Sequence, residues 1–124
     1  MIKTNSEIIE QLMHLHKYGI PEGSNVGLKS FDENLTFVKG GCTDVTGYPN
    51  YGKSLFLKEI LVGLTVNSGW KHCIYMPDDG GDAELYSNLM FKMTGKEIDN
   101  PNNKITEKEI SKAFGTMCEH FMLV

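Results

Sequence analysis

Residues 47 to 54 read Gly47-Tyr48-Pro49-Asn50-Tyr51-Gly52-Lys53-Ser54, which is the GxxxxGKS spacing of a phosphate-binding loop. Gly47 and Gly52 permit tight backbone turns, and the N–H groups of such a loop surround phosphate oxygens with partial positive charge. Lys53 is predicted to reach the β- and γ-phosphates, and the Ser54 hydroxyl to bind Mg²⁺. With Leu55 as the next residue, the segment predicts a site for ATP, or another nucleoside triphosphate, and Mg²⁺. The alternative is a glycine turn with a surface lysine.

The segments around the loop predict a strand, a helix and a second strand. Cys42 to Thr46 has the composition of a short strand, and Lys53 to Asn67 has apolar residues at helical spacing. His72 to Met76 is a continuous apolar run, which is typical of a parallel strand covered on both faces. Together the three segments predict a βαβ unit with the loop at its first turn.

The residues before the loop predict a helix and an ordered connector. Thr4 to Glu7 has capping-box spacing, and the apolar residues that follow predict a helix over residues 5–17. The connector, residues 21–41, is rich in Gly, Ser and Asn but contains Leu28, Phe31 and Leu35 as predicted apolar anchors.

The residues after the second strand predict two more helices and a last strand. Asp82 to Met93 forms the first of these helices, and Thr106 to Glu109 is a second capping box that starts another. The final residues, Phe121 to Val124, predict a strand. Because such a strand would need partners on both sides, we expect the chain to be a fragment of an α/β domain.

Two carboxylates, Asp78 and Asp79, directly follow the second predicted strand. Hydrolysis needs a group that orients or deprotonates water, and Asp78 is the candidate for that catalytic role beside Lys53. The alternative is structural, because Pro77-Asp78-Asp79-Gly80-Gly81 is also favourable turn chemistry.

Composition restricts the class of protein. The formal net charge of −4 gives no overall attraction to nucleic acid, and no segment has the apolar length of a membrane span. Three widely spaced cysteines predict reduced core thiols in a cytoplasmic protein. The four histidines have no metal-ligand spacing with a carboxylate or cysteine, so Mg²⁺ is the only metal predicted.

Several short motifs flank the loop. Those before it are Gly27-Leu28, Phe31-Asp32, Lys39-Gly40 and Asp44-Val45-Thr46-Gly47. Those after it are Gly69-Trp70-Lys71, Pro77-Asp78, Thr94-Gly95-Lys96, Thr106-Glu107 and Glu119-His120-Phe121. Together with the loop itself, these motifs resemble the entry to a RecA-like ATPase core, and in particular the Twinkle-like and phage primase-helicase branch of the DnaB-like replicative helicases.

The resemblance implies the N-terminal part of a hexameric, Mg²⁺-dependent motor that hydrolyses nucleotide to move along single-stranded DNA. Residues 1–20 would hold a linker helix, which packs either on an adjacent subunit or on its own domain, and residues 21–124 part of the ATPase domain. Asp78 falls where the family has a catalytic glutamate, one methylene longer. DNA contacts would lie beyond Val124, and the expected location is the cytoplasm of a bacterium or a phage-infected cell. The alternatives are a non-catalytic nucleotide-binding module and a recombinase-type ATPase.

Overall fold

The computed structural model describes residues 4–77 and 80–124. They form a mixed structure of helices joined by loops, with one small parallel sheet. The elements are α1 (Asn5–Tyr18), α2 (Lys29–Asp32), α3 (Lys53–Ser68), β1 (His72–Ile74), α4 (Asp82–Thr94), α5 (Glu107–His120) and β2 (Phe121–Leu123). The four predicted helices are confirmed: α1, α3 and α4 agree with the prediction within one residue at each end, and α5 begins directly after the predicted cap Thr106. The short helix α2 was not predicted.

The sheet consists of β1 and β2, which pair in parallel with His72 opposite Phe121 and Ile74 opposite Leu123. The chain crosses from one strand to the other through α4 and α5, as a parallel pair requires. Both strands were predicted, although β1 ends at Ile74, two residues before the predicted Met76. The α/β class is therefore confirmed at the level of a two-stranded parallel sheet.

The predicted strand from Cys42 to Thr46 does not form. These residues have no assigned secondary structure and are exposed. A strand requires backbone hydrogen bonds to a neighbouring strand. In the described part of the chain, β1 and β2 pair with each other and the sheet contains no third strand. The predicted βαβ unit is therefore wrong for this structure, because its first strand is missing.

The main core lies between the sheet and helices α3, α4 and α5. Leu89 of α4 and Met117 of α5 are its most enclosed side chains, each with no exposed surface. Ile74 and Phe121 close it from the sheet side. The opposite face of the sheet is exposed in the described residues, so the prediction that the strand of His72 to Met76 is covered on both faces is wrong.

A second apolar cluster fixes the connector to α3. Val26, 3% exposed, packs with Ile60 and Leu64 of that helix. The Val26 carbonyl accepts a hydrogen bond from Asn67 Nδ2 at 2.7 Å, and its N–H donates to Asp32 Oδ1 at 2.7 Å. The connector is ordered by these contacts rather than by regular secondary structure.

Two of the three predicted apolar anchors of the connector are wrong. Phe31 packs against the second cluster, but Leu28 and Leu35 are exposed. Trp70 also contacts this cluster, and its Nε1–H donates to Ser24 Oγ at 3.0 Å. The three cysteines are free thiols, but Cys42, Cys73 and Cys118 are all exposed, so their predicted position in the core is wrong.

The first helix is capped but has no buried side chain. The Thr4 N–H donates to the Glu7 carboxylate at 2.8 Å, as its capping-box sequence predicts. Among the described residues, no helix is both long and apolar enough to span a membrane.

The start of α5 combines a capping box with an ion pair. The Thr106 N–H donates to Glu109 Oε2 at 3.0 Å, and the Glu109 N–H donates to Thr106 Oγ1 at 3.3 Å. Lys96 Nζ lies 2.6 Å from the other carboxylate oxygen. The hydrogen bond from Lys96, followed by those from Thr106, lowers the pKa of Glu109 to about 2.

We expect this carboxylate to titrate at about pH 2 in the folded protein, and Lys96→Met to raise its pKa toward 4.5. Since the folded pKa lies below the unfolded value, the stabilisation is complete above pH 4.5 and is lost as the pH falls toward 2. Carbon-detected NMR of the Glu109 carboxyl measures the titration. The control is Lys108→Met, which also removes one positive charge but leaves the ion pair between Lys96 and Glu109 intact. A Glu109 pKa that ignores Lys96→Met would contradict the assignment.

Candidate nucleotide site

The glycine-rich loop lies at the surface, directly before α3. Asn50 has a φ of 62° and Gly52 a φ of 81°, both in the left-handed region. This conformation is accessible to glycine without strain and is tolerated by asparagine, so the two residues suit their positions. The turn between them brings the chain from the exposed segment 42–46 into the first turn of the helix.

The loop closes around the side chain of Lys53. Its Nζ donates to the carbonyl oxygens of Gly47, at 2.9 Å, and Tyr48, at 2.7 Å. A Cβ added at Gly47 would lie 3.5 Å from Lys53 Cδ, so the loop follows the aliphatic part of that side chain at contact distance. Sequence reasoning predicted the role of Lys53 but not these two carbonyl partners, because backbone acceptors leave no signal in the sequence.

The N-terminus of α3 points its free donors toward the same place. Gly52 is the N-cap, and the Phe56 N–H bonds the Gly52 carbonyl at 2.9 Å. The preceding amides, those of Lys53, Ser54 and Leu55, come before the first intrahelical bond and have no helical acceptor. The helix contains 16 residues, so the positive end of its dipole adds to these donors. Together they form a site suited to an anion.

Ser54 and Leu55 are exposed at this helix end, with Leu55 57% exposed. A hydroxyl oxygen that is accessible to solvent beside an anion site fits a hard cation such as Mg²⁺, which prefers oxygen ligands and retains several waters. Among the described residues, no cluster of histidine, cysteine and acidic side chains could hold a metal ion by itself. Any Mg²⁺ bound at this place would therefore need phosphate oxygens among its ligands.

Two tyrosines stand on the outside of the loop. Tyr48 is 78% exposed and Tyr51 is 82% exposed, and their ring centroids lie 6.0 Å apart at an interplanar angle of 53°. The assignment of both tyrosines to a nucleotide-binding loop stays a prediction.

The predicted catalytic residue, Asp78, lies outside the described residues, as does Asp79. Pro77 follows β1, and Gly80 and Gly81 have φ values of 75° and 105° before α4 begins. A small cavity of about 170 Å³ lies at the carboxyl ends of both strands, lined among others by Tyr75, Pro77 and Val124. Carboxyl ends of parallel strands are the usual place for ligands in α/β proteins.

The amino ends of the strands carry a histidine pair. The His120 Nδ1 lies 3.1 Å from the Trp70 carbonyl, and the His72 ring stacks on Phe121 with centroids 5.3 Å apart. Burial, and to a smaller extent the nearby His120, lowers the pKa of His72 below its usual value.

These features define a mixed α/β protein with a glycine-rich loop closed around a lysine at the start of a long helix. Part of the chain is similar to the Twinkle homolog protein, chloroplastic/mitochondrial, of Arabidopsis thaliana, with 38% identity over 61 residues. That match covers 49% of this chain and 8% of the plant protein. No protein-family model matches the chain, and neither does any solved structure.

Proposed function

We propose that this chain is the ATP-binding part of a replicative DNA helicase, with a RecA-like ATPase core that couples nucleotide hydrolysis to movement along single-stranded DNA. The proposal includes assembly of the complete protein as a ring of six copies. DNA contacts are assigned to regions outside these residues, since the chain itself has a net charge of −4. The predicted location, the cytoplasm of a bacterium or a phage-infected cell, is part of the same proposal.

The proposal that the chain binds ATP is based on the loop at the N-terminus of α3. It combines a lysine ammonium held by Gly47 and Tyr48 with the free amides of the first helical turn. The ammonium and the amides are hydrogen-bond donors with positive character, and both are at the surface. A nucleoside triphosphate is a common biological anion with enough phosphate oxygens to accept from both groups. We propose that phosphate oxygens replace the two carbonyls as partners of Lys53.

Mg²⁺ would be held by Ser54 and by the phosphates, and it would neutralise charge that develops between the β- and γ-phosphates. The residues of this chain supply binding and orientation. Asp78, by its position in the sequence after β1, would accept a proton from the attacking water or orient it. Leu55, exposed beside Ser54, would contact the remainder of the nucleotide.

The helicase class is favoured over the recombinase class by the similarity to a protein named as a Twinkle homolog. A non-catalytic nucleotide-binding module is a second candidate, and Asp78 favours it. An aspartate is one methylene shorter than the glutamate that the resemblance leads us to expect. A base held about an ångström too far from its water loses much of its effect.

The test is a titration of the chain with a fluorescent ATP analogue, in Mg²⁺ and in EDTA, with phosphate release read from the same samples. Saturable, Mg²⁺-dependent binding is the expected result. Phosphate release that disappears in Asp78→Asn would support the catalytic reading, whereas binding without release would favour the non-catalytic module. Absence of binding by a folded chain would refute the proposal.

A further inference from the structure

Four rings meet at the amino ends of the two strands. The His72 ring stacks on Phe121 with centroids 5.3 Å apart and an interplanar angle of 27°, and the centroids of Trp70 and His72 are 6.3 Å apart. The His120 Nδ1 lies 3.1 Å from the Trp70 carbonyl oxygen. Because a carbonyl oxygen only accepts, this nitrogen carries the proton. We call Trp70, His72, His120 and Phe121 the histidine joint.

Trp70 connects the histidine joint to the segments that precede the sheet. Its Nε1–H donates to Ser24 Oγ at 3.0 Å, and its backbone N–H donates to the Leu64 carbonyl of α3 at 3.2 Å. Lys39 of the connector has its Nζ 5.7 Å from the centroid of the indole ring. The histidine joint therefore holds the connector, α3, the sheet and the end of α5 together at one place.

The position of the His72 ring favours its neutral form. Its Nε2 is buried and has no hydrogen-bond partner in the described part of the chain. Neutral imidazole carries one N–H and imidazolium carries two, so protonation would leave a donor at Nε2 without an acceptor. A buried donor without an acceptor costs free energy, and the cost is larger when the group is charged. The geometry therefore disfavours a charged ring.

The charged groups around the ring do not compensate for this cost. A cavity of about 390 Å³ lies beside the histidine joint, and the titratable side chains that line it with His72 are Lys71, Cys73, Cys118, Glu119 and His120. Lys71 and Glu119 have opposite charges, whereas Lys39 adds a positive charge on the connector side. A protonated His120 would repel a second positive charge on His72.

The pKa of His72 follows from these surroundings. Burial is the largest influence and lowers it, the Leu61 backbone raises it in part, and the nearby His120 lowers it again. The pKa in the folded protein is therefore below the usual value of 6.5. Since the folded pKa lies below the unfolded value, the stabilisation by the neutral ring is complete above pH 6.5 and is lost as the pH falls through the folded pKa.

We propose that the histidine joint is a pH-sensitive switch, closed at neutral pH and opened in mildly acidic solution when His72 takes up a proton from water. The charged ring leaves its place against Phe121 so that water can accept from Nε2–H, and Trp70 becomes more accessible. The main core, as the structure describes it, contains no histidine, so the long helices remain folded. The switch does not depend on nucleotide binding.

The experiment uses Trp70 as the reporter, because it is the only tryptophan in the sequence. Emission spectra are recorded from about pH 7.5 to about pH 5, the range in which histidine ordinarily changes its charge. We expect the emission maximum of the wild type to move to longer wavelength, and quenching by acrylamide to increase, with a midpoint below pH 6.5. Helical circular dichroism stays constant. The ion pair of Glu109 also stays intact, because that carboxyl titrates at about 2.

Three variants assign the transition to one ring. His72→Phe keeps an aromatic ring against Phe121 but cannot be protonated, so its emission maximum should stay constant over the same range. His120→Gln should keep the transition and move it to higher pH, because the repulsion from His120 is removed. The matched control is His16→Phe, which replaces an exposed histidine of α1 and should behave like the wild type.

A titration of the His72 ring protons by NMR measures its pKa in the wild type without any substitution, so a poorly folded variant does not prevent the test. A pKa at or above 6.5 would overturn the proposal. So would an emission maximum of the wild type that does not change with pH, or a transition that persists in a folded His72→Phe protein.

Discussion

Replacement of Lys53 by alanine is expected to lower the affinity of the chain for Mg²⁺-ATP by at least about tenfold. The substitution removes the only charged donor of the loop and leaves the amides of α3 as the remaining anion contacts. A hydrogen bond to a charged group contributes about 1.5–3 kcal/mol, and each 1.4 kcal/mol is a factor of about ten in affinity. The fluorescent titration with the ATP analogue measures the loss directly.

The matched control is Lys108→Ala, which makes the same change of charge on an exposed part of α5. It should bind nucleotide like the wild type. A second check uses the structure of the loop itself, because Lys53 holds the carbonyls of Gly47 and Tyr48. The amide signals of both residues should therefore shift in the Lys53→Ala protein even without nucleotide. Equal affinity of wild type and Lys53→Ala would mean that the loop is a surface turn.

The largest effect on stability is expected from Gly63→Ala in the middle of α3. A Cβ at this position would lie 2.3 Å from the Val26 carbonyl oxygen and 2.5 Å from Val26 Cγ1. The obstacle includes backbone that is itself held by Asn67 and Asp32, so it cannot move cheaply. Such overpacking costs about 1–3 kcal/mol, against a gain of about 1 kcal/mol from helix propensity. Because the obstacle is rigid, we expect a cost near the upper end of that range and therefore a net loss of about 2 kcal/mol.

Gly115→Ala in α5 provides the opposite result from the same substitution. A Cβ there meets nothing within 4 Å, and the residue lies in the interior of the helix. Only the higher helix propensity of alanine remains, so we expect the free energy of unfolding to rise by about 0.5–1 kcal/mol. Thermal unfolding followed by circular dichroism compares the two variants, whose midpoints should differ by roughly 10 °C. If Gly63→Ala were as stable as the wild type, the connector would not pack against α3 as described.

Much of the local structure follows from the sequence. Capping boxes at Thr4 and Thr106 predicted where α1 and α5 begin, and both are present. The helix predicted for Asp82 to Met93 ends one residue later, at Thr94, and Gly95 is its C-cap in a left-handed conformation. These signals are local, since a cap or a stop is decided by groups within four residues of each other. The glycine-rich loop before α3 was predictable for the same reason.

What the sequence could not predict is long-range. Cys42 to Thr46 has the composition of a strand, but a strand requires partners from elsewhere, and the described chain provides none to it. Leu28 and Leu35 are as apolar as Val26, yet only Val26 meets Ile60 and Leu64. Apolar residues in an irregular connector have no period that indicates which of them is inside.

The sequence by itself therefore determined the positions of the four long helices, the ends set by their caps, and the loop of residues 47–54 with Lys53 at the first turn of α3. Tertiary structure alone decided that Lys53 rests on the carbonyls of Gly47 and Tyr48, that Gly63 must stay small against Val26, and that one face of the sheet and one side of α1 are uncovered. The reason is the range of the interactions. Caps and helical turns are satisfied by neighbours in the chain, whereas burial and strand pairing depend on which distant segments meet.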